Sequence, residues 1–368
     1  MIDFNKIDKN FFEITSVDMS GRVMYNVCEK PFRVYGLLLP QDENDIFRRM
    51  PLEKAQEINK GVELLHDNTA GGRVRFATDS ARVSILVKVR DCVSGAKFSL
   101  SGRAGLDLYE ITPDGEKYLK HFPPSEDGSG VFAGEHIFKE KKMRNFTLYM
   151  PSYTAVLELY VALDEGALLK ECVNYTYEKP IVYYGSSITQ GANASRPGTT
   201  YQNILSRRFD TDYINLGFSG NALGEPAMAR YIAGLDMSIC VLDYDHNTPN
   251  AEHLRNTHYK MYEIIREAQP DLPIIFMSKP NYHTATVKFD VSDNEKHRQI
   301  IIESYERARA NGDTNVYFVD GKQVAEVFGA GDNMTVDGCH PNDIGFLSMA
   351  KLLGDRIEKI LNFNTTKG

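Results

Sequence analysis

The chain has 368 residues, of which 42% are hydrophobic, and a formal net charge of −8 at pH 7. The chain is acidic and has no basic cluster, so it is not expected to bind nucleic acid or anionic membranes. It has no run of about 18 apolar residues, so no membrane span is expected. The first twenty residues lack the pattern of a signal peptide, and the five cysteines contain no CxxC pair. We therefore expect a cytoplasmic protein with reduced thiols.

The first half of the chain has the pattern of an all-β domain. The segments GRVRFATDSARVSILVKV (72–89) and NFTLYMPSYTAVLELYVALD (145–164) alternate apolar and polar residues around short turns. Regular short strands separated by Gly, Pro, Asp and Ser clusters predict a sandwich or jelly roll over residues 1–175. One helical stretch is predicted within it, near residues 51–65.

The second half, residues 176–368, alternates apolar strands with amphipathic helices. Continuous apolar strands of this kind predict a parallel sheet that helices cover on both faces, with its site at the carboxyl ends of the strands. The predicted strands span residues 181–185, 212–218, 237–244, 273–278 and 316–321. The predicted helices lie near residues 199–208, 224–233, 251–268, 294–311 and 343–361.

Polar residues suited to acyl transfer follow these predicted strands. A serine hydroxyl such as that of Ser187 needs an adjacent base, which His340 could supply, and Asp337 could orient that imidazole. An oxyanion needs preorganised donors, and the candidates are the Ser187 and Gly220 N–H groups and the Asn247 amide. Because these loops share one sheet edge, the sequence predicts a serine hydrolase site.

Four blocks in this half resemble those of the SGNH (GDSL-type) hydrolase family. The resemblance implies a flavodoxin-like α/β fold with a five-stranded parallel sheet and no cofactor. It also implies that Ser187 is the nucleophile, that His340 and Asp337 complete the triad, and that Gly220 and Asn247 join Ser187 in the oxyanion hole. The blocks are GSSIT (185–189), NLGFSGNA (215–222), DHNT (245–248) and DGCH (337–340).

Three departures from the family pattern refine this interpretation, and one of them is Thr248, which stands where the third block has Asp. Ser186 stands where most members have Asp, and Asp245 adds a carboxylate beside Asn247 that we predict to reshape the substrate pocket. The segment GLDLY (105–109) resembles the GxDLY signature of a β-rich domain that precedes a subset of these hydrolases, in which GSSIT replaces GDSIT. Members of that subset are commonly carbohydrate esterases, often deacetylases, so the resemblance implies a saccharide ester as substrate.

Other interpretations of the same residues remain open. The chain could be a non-catalytic binding protein on this scaffold, with Asp245 marking a decayed block, or an acyltransferase with the same triad. The serine turn lacks the lysine of a phosphate-binding loop and the second glycine of a G-x-S-x-G elbow. His283, after the fourth strand, could contact substrate or lie on the surface. Asp243, Asp245 and His246 could bind a metal, but strand capping is the favoured explanation, and no metal is expected.

Overall fold

A computed structural model describes residues 17–42, 45–90, 92, 98–280 and 291–365, with side chains as far as residue 361. The strands among these residues are β1 (Arg22–Asn26), β2 (Arg33–Tyr35), β3 (Arg73–Thr78), β4 (Arg82–Val89), β5 (Leu106–Thr112), β6 (Gly115–Phe122), β7 (Val131–Ile137), β8 (Arg144–Tyr149), β9 (Val156–Asp164), β10 (Leu169–Lys170), β11 (Tyr177–Gly185), β12 (Thr211–Gly217), β13 (Ile239–Asp243), β14 (Ile274–Met277) and β15 (Val316–Val319). The α-helices are α1 (Leu52–Ile58), α2 (Lys60–Leu65), α3 (Leu100–Ala104), α4 (Ser187–Gln190), α5 (Tyr201–Phe209), α6 (Pro226–Ala233), α7 (Ala251–Ala268), α8 (Val291–Ala310) and α9 (Asp343–Thr365).

Two antiparallel sheets form the β-rich domain. One has the strand order β1-β9-β4-β7, and the other has the order β10-β3-β8-β5-β6, with β2 paired to β3. Alternate residues of both sheets, such as Val83 and Ile85 on β4 and Phe76 on β3, share one buried cluster, as expected for a sandwich. The turn at Asp79 and Ser80 carries the chain from one sheet to the other. The β-rich fold is therefore confirmed, and its jelly-roll connectivity stays a prediction.

The helix predicted near residues 51–65 is two helices, α1 and α2. The backbone of Asn59 is extended, with φ −164° and ψ 167°, and its side chain accepts a hydrogen bond from the Val62 N–H as the N-cap of α2. The Asn59 amide also donates to the Asn221 carbonyl at 3.0 Å. Asn59 thus breaks the helix because its side chain caps the following turn and contacts the second domain.

The α/β domain is a five-stranded parallel sheet in the order β12-β11-β13-β14-β15. This is the flavodoxin-like order, whose direction reverses beside the first strand, so loops after β11 and its neighbours border a natural crevice. Helices α5 and α9 pack on one face, and α6, α7 and α8 pack on the other. The predicted α/β architecture is confirmed. No helix in the described part of the chain is long and apolar enough to cross a membrane.

A buried layer of arginine side chains joins the two domains. Arg73, fully buried on β3, donates to Asp212 Oδ1 at 2.6 Å and to the Tyr213 carbonyl at 2.9 Å, and its guanidinium lies 3.8 Å from the centre of the Tyr213 ring. Arg49 donates to the Gly217 carbonyl at the end of β12. Buried charges are stable only when hydrogen-bonded, so these contacts fix the domains against each other. The boundary near residue 175 stays a prediction.

Candidate active site

Ser187 is the first residue of the short helix α4, directly after β11. A Cβ atom at Gly185 would lie 2.2 Å from the Asp243 carbonyl oxygen, so the close approach of β11 and β13 at this point requires glycine. The buried Ser186 side chain accepts a hydrogen bond from the Ile188 N–H at 3.1 Å and caps the helix. The Ser187 N–H, at the first helical position, has no intrahelical acceptor.

Ser187, His340 and Asp337 form one hydrogen-bonded chain. The Ser187 Oγ lies 2.9 Å from His340 Nε2, and His340 Nδ1 lies 3.0 Å from Asp337 Oδ2. The His340 side chain is 27% exposed and that of Asp337 is 12% exposed. The structure therefore brings Ser187 together with His340, 153 positions later in the sequence, and with Asp337 of the same turn.

The Asp337 carboxylate is held by its own turn. Burial raises the pKa of this carboxyl, but hydrogen bonds from the His340 N–H at 2.8 Å, the imidazole and the Cys339 N–H at 3.1 Å bring the pKa below its usual value. Gly338 has φ +77°, which lets the turn close between Asp337 and His340. The carboxylate therefore stays charged and can hold the imidazole with Nδ1 protonated.

The loop after β12 carries Gly220, and Asn247 contacts the same loop. Gly220 has φ +72°, is exposed, and its N–H donates no hydrogen bond to the residues that the structure describes. One amide N–H of Asn247 donates to the Phe218 carbonyl at 3.0 Å. The Asn247 side chain therefore lies against the loop that presents the Gly220 N–H.

Gln190, a fully buried residue that the sequence did not single out, connects this loop to the serine helix. Its Oε1 accepts a hydrogen bond from the Ser219 N–H at 3.0 Å, and its Nε2 donates to Asn68 Oδ1 and to the Ser152 carbonyl, both at 3.2 Å. Both of these acceptors belong to the β-rich domain. Gln190 thus sets the position of the Gly220 loop relative to Ser187 and to the other domain.

Tyr153 is a second residue that the sequence analysis missed. Its hydroxyl donates to the Ser187 carbonyl at 3.0 Å, and its ring packs edge-on against Phe98 at 5.0 Å between centroids. Burial raises the pKa of Tyr153 above its usual range, so its hydroxyl stays protonated. No local pattern marks this turn residue, because only the packing of the two domains brings it to Ser187.

The GxDLY segment contacts the loop that follows the serine helix. The fully buried Asp107 carboxylate accepts hydrogen bonds from the Gly198 N–H at 2.6 Å, from Arg196 at 2.8 Å and from His121 at 2.7 Å. On its other side the same loop is bound by Asp343, which accepts from the Ser195 N–H at 3.0 Å. Since Asp343 begins α9 three residues after His340, this loop links the β-rich domain to the turn that carries His340.

Asp243, Asp245 and His246 form a buried group behind this edge. The Asp245 side chain is 2% exposed, and its Oδ2 accepts from the Lys279 N–H at 3.1 Å. Burial raises the pKa of Asp245 to about 6. Burial and the nearby charge of Asp245 raise the pKa of Asp243 well above its usual value. Burial also lowers the pKa of His246. The pocket role of Asp245 stays a prediction, and His283 lies outside the described residues.

A surface depression at the other end of the sheet lies away from these groups. It has a volume of about 880 Å³ and borders the amino-terminal ends of β14 and β15, next to the Arg266–Asp313 ion pair. The hydrogen bonds from Tyr262 and Arg266 to Asp313, at 2.7 and 2.9 Å, hold the α7 and α8 ends together. Tyr262, Arg266 and Asp313 are thus engaged in structural contacts, and the predicted site residues lie at the opposite edge of the sheet.

Comparison with known proteins gives two matches that together span most of the chain. The profile of the GDSL-like Lipase/Acylhydrolase family matches residues 178–358, and that of the GxDLY domain, the N-terminus of SGNH-hydrolase-type esterases, matches residues 23–169. No curated protein matches the chain.

Solved structures resemble the whole chain. A protein described as a GDSL-like lipase from Bacteroides ovatus is 27% identical, with a TM-score of 0.82 over 93% of this chain and 98% of that one. The salicylyl-acyltransferase SsfX3 of a tetracycline biosynthetic pathway is 21% identical, with a TM-score of 0.74 over 92% and 97%. A family two carbohydrate esterase from Clostridium thermocellum, an active-site mutant, is 13% identical, with a TM-score of 0.61 over 91% and 99%. The last two show likeness of fold alone. The chain belongs to the SGNH (GDSL-type) hydrolases, in the subset that carries an N-terminal GxDLY domain.

Proposed function

We propose that this hydrolase is a serine esterase that releases small acyl groups, acetyl above all, from the hydroxyls of a saccharide. The observation that carries the proposal is the hydrogen-bonded chain from Ser187 through His340 to Asp337. A nucleophile, a base and an orienting carboxylate at hydrogen-bond distance are the parts that acyl transfer through a covalent intermediate requires.

In the proposed reaction His340 Nε2 takes the Ser187 proton as Oγ attacks the ester carbonyl carbon. The carbonyl oxygen becomes an oxyanion, which the N–H groups of Ser187 and Gly220 and the Asn247 amide stabilise. As the tetrahedral intermediate collapses, its C–O bond to the alcohol breaks and His340 protonates the departing alkoxide. Water then attacks the carbonyl carbon of the acyl-serine while His340 takes its proton. When this second tetrahedral intermediate collapses, the bond to Ser187 Oγ breaks, His340 returns the proton to Oγ, and the acid is released. No cofactor takes part.

The saccharide substrate rests on fold likeness to proteins described as family two carbohydrate esterases and on the GxDLY domain. A screen of acetylated sugars and oligosaccharides, run beside p-nitrophenyl esters of increasing acyl length, tests it. We expect kcat/KM to be highest for acetyl esters and to fall as the acyl chain lengthens. A preference for long-chain esters would contradict the proposed acetyl-ester substrate, and it would leave the proposed mechanism through Ser187 unaffected.

The Ser187→Ala variant tests the mechanism itself. Turnover of p-nitrophenyl acetate should fall by about 10³-fold or more, because the nucleophile is lost. The matched control is Ser238→Ala, which should leave turnover unchanged. In the wild type the Ser238 hydroxyl donates to the Pro180 carbonyl at 3.2 Å, at the opposite edge of the sheet. A fluorophosphonate probe should label the wild type but not Ser187→Ala. An unlabelled, folded wild-type protein would favour a non-catalytic binding protein.

A second candidate is acyl transfer to an alcohol. It is favoured by the likeness over nearly the whole chain to the salicylyl-acyltransferase SsfX3, since both activities share an acyl-serine intermediate. Product analysis in the presence of a saccharide or aryl alcohol separates them. Free acid as the main product supports the esterase, and an ester of the added alcohol supports the transferase.

A further inference from the structure

A group of three side chains behind the catalytic edge has no role in the proposed acyl transfer. Asp243 ends β13, and Asp245 and His246 follow in the next turn. Their side chains are buried, with exposed fractions of 1%, 2% and 5%. One potential ligand atom from each residue lies within 4.8 Å of the other two.

Four polar atoms of this group have no hydrogen-bond partner among the described residues. Asp243 Oδ1, Asp245 Oδ1 and both ring nitrogens of His246 are buried, and none makes a hydrogen bond to the described part of the protein. His246 Nε2 lies 3.8 Å from Asp243 Oδ1, and Nδ1 lies 3.8 Å from Asp245 Oδ1, too far for direct hydrogen bonds. Such atoms are costly to bury unsatisfied, so several of them aimed into one space point to a ligand.

In the part of the chain that the structure describes, neither carboxylate is paired with a side-chain cation. Among the described residues, no Lys or Arg nitrogen lies within 4.0 Å of either carboxylate, and the nearby Lys279 Nζ instead donates to Asn294 Oδ1 at 2.9 Å. Lys279 reaches Asp245 only through its backbone N–H. Two adjacent buried carboxylates repel each other, and a bound cation removes that repulsion.

We propose that Asp243, Asp245 and His246 bind one divalent transition-metal ion, of which Zn²⁺ is the best fit. Carboxylate oxygens and an imidazole nitrogen are both ligands that zinc accepts, and three protein ligands leave the fourth tetrahedral position for water. Ligand atoms around a tetrahedral zinc lie about 3.3 Å apart. One ligand atom from each residue lies within 4.8 Å of the other two, so side-chain shifts of about an ångström bring one nitrogen of His246 and the two carboxylates to a single ion. Ca²⁺ prefers six to eight oxygen ligands, and Mg²⁺ prefers carboxylates and water, so the imidazole disfavours both.

The position of the site gives the ion a structural effect on the catalytic edge. The Asp243 carbonyl accepts the Ser186 N–H at 3.3 Å, directly before the nucleophile, and His246 precedes Asn247. An ion that fixes the turn after β13 therefore restrains both the serine helix and the Asn247 side chain. It touches neither the Ser187 hydroxyl nor the acyl group, so the proposal is independent of the esterase activity.

Metal content of the full chain, purified without a metal-binding tag, tests the proposal. After incubation with Zn²⁺ and removal of free ion, we expect about one zinc per chain by mass spectrometry of the elements. Removing zinc with a chelator should lower the melting temperature by about 5 °C or more, and added Zn²⁺ should restore it, because the ion binds the folded state. The absence of both bound zinc and a melting shift would overturn the proposal and favour a proton shared by the carboxylates.

Variants and a spectroscopic probe locate the ion. Asp245→Asn should lower the zinc content at least tenfold, whereas Asp236→Asn, an exposed carboxylate of the same domain, should retain it. Thiols are alternative zinc ligands, and the half-buried Cys339 forms no disulfide, so Cys339→Ser is a second control that should also retain the zinc. If Asp245→Asn does not fold, Co²⁺-loaded wild type replaces it and should lack a thiolate-to-cobalt charge-transfer band. Zinc retained by Asp245→Asn, or a thiolate band, would place the ion elsewhere and overturn the assignment.

Discussion

The β-rich domain and the α/β domain contribute different things to the same edge. The α/β domain supplies Ser187, His340 and Asp337 from loops that follow its parallel strands. The β-rich domain supplies none of the proposed reacting groups, yet its Tyr153 and Asp107 bind the Ser187 backbone and the loop after it. The proposed reacting groups therefore belong to one domain, and the other contributes contacts that position them. We expect the effects of variants to divide in the same way.

The largest effect should come from the α/β domain through Asp337→Asn. The amide cannot hold the His340 imidazole in the tautomer that accepts the serine proton, so we expect kcat to fall by about 10³–10⁴-fold. Steady-state kinetics on p-nitrophenyl acetate measures this loss. Asp332→Asn, an exposed residue of the same loop region, is the control and should keep full activity. Activity retained in Asp337→Asn would remove the carboxylate from the proposed triad.

A smaller loss should follow Asn247→Ala in the same domain. Removing one oxyanion donor costs about 10²–10³-fold in kcat with little change in KM, because the donor acts on charge that forms in the transition state. The exposed Asn333 gives the control, since Asn333→Ala removes an amide outside the proposed oxyanion hole. A rise in KM at unchanged kcat would instead assign Asn247 to ground-state binding.

The β-rich side of the comparison is tested by Asp107→Asn. This change removes the negative charge opposite Arg196 at 2.8 Å. Breaking a fully buried pair costs about 3–5 kcal/mol, and since Arg196 is 25% exposed we expect the free energy of unfolding to fall by about 2–3 kcal/mol. Urea denaturation measures the change, and kcat should fall less than tenfold where the protein stays folded.

The matched control for this variant is an exposed pair in the same domain. Glu158 lies 3.1 Å from Lys88, with side chains 48% and 49% exposed, so Glu158→Gln should change stability by less than about 0.5 kcal/mol. A kcat loss in Asp107→Asn as large as that of Asp337→Asn, at unchanged stability, would contradict the division of roles.

The α/β sheet and its proposed triad could be predicted because the signals are local. Each apolar strand ends in a polar block, and parallel strands bring such ends to one edge, so Ser187 and His340 could be matched across 150 residues. Gly220 and Asn247 follow the same rule. The periodicity of residues 251–268 likewise predicts α7 with its observed bounds.

The contacts between the domains could not be predicted in this way. Gln190, Tyr153 and Arg49 owe their positions to packing between segments whose relative placement no periodicity encodes. The GxDLY resemblance identified Asp107 by motif, but not its bonds to the loop at residues 195–199. The break at Asn59 was missed because an asparagine inside a helical pattern is distinguished as a cap only by what its side chain contacts.

The two domains also differ in how they bury histidine. His121 in the β-rich domain lies 2.7 Å from the Asp107 carboxylate, whereas neither ring nitrogen of His258 on α7 has a hydrogen-bond partner among the described residues. His258 packs between Tyr244 and Phe276, at centroid distances of 5.8 and 4.7 Å. Burial there lowers the pKa of His258 to about 3.

This histidine should make the stability of the protein depend on pH. Between pH 6.5 and 3 the unfolded chain binds a proton at His258 that the folded chain does not, so stability falls as pH falls through this window. Between pH 7 and 5 the loss due to His258 should be about 2 kcal/mol, with the remainder appearing below pH 5. Urea denaturation at pH 7 and at pH 5 measures the decrease in the free energy of unfolding between the two pH values. This decrease should be about 2 kcal/mol smaller in His258→Leu than in the wild type. Equal drops in the two proteins would mean that the imidazole is protonated, or reached by water, in the folded state, and that α7 does not seal it as the packing indicates.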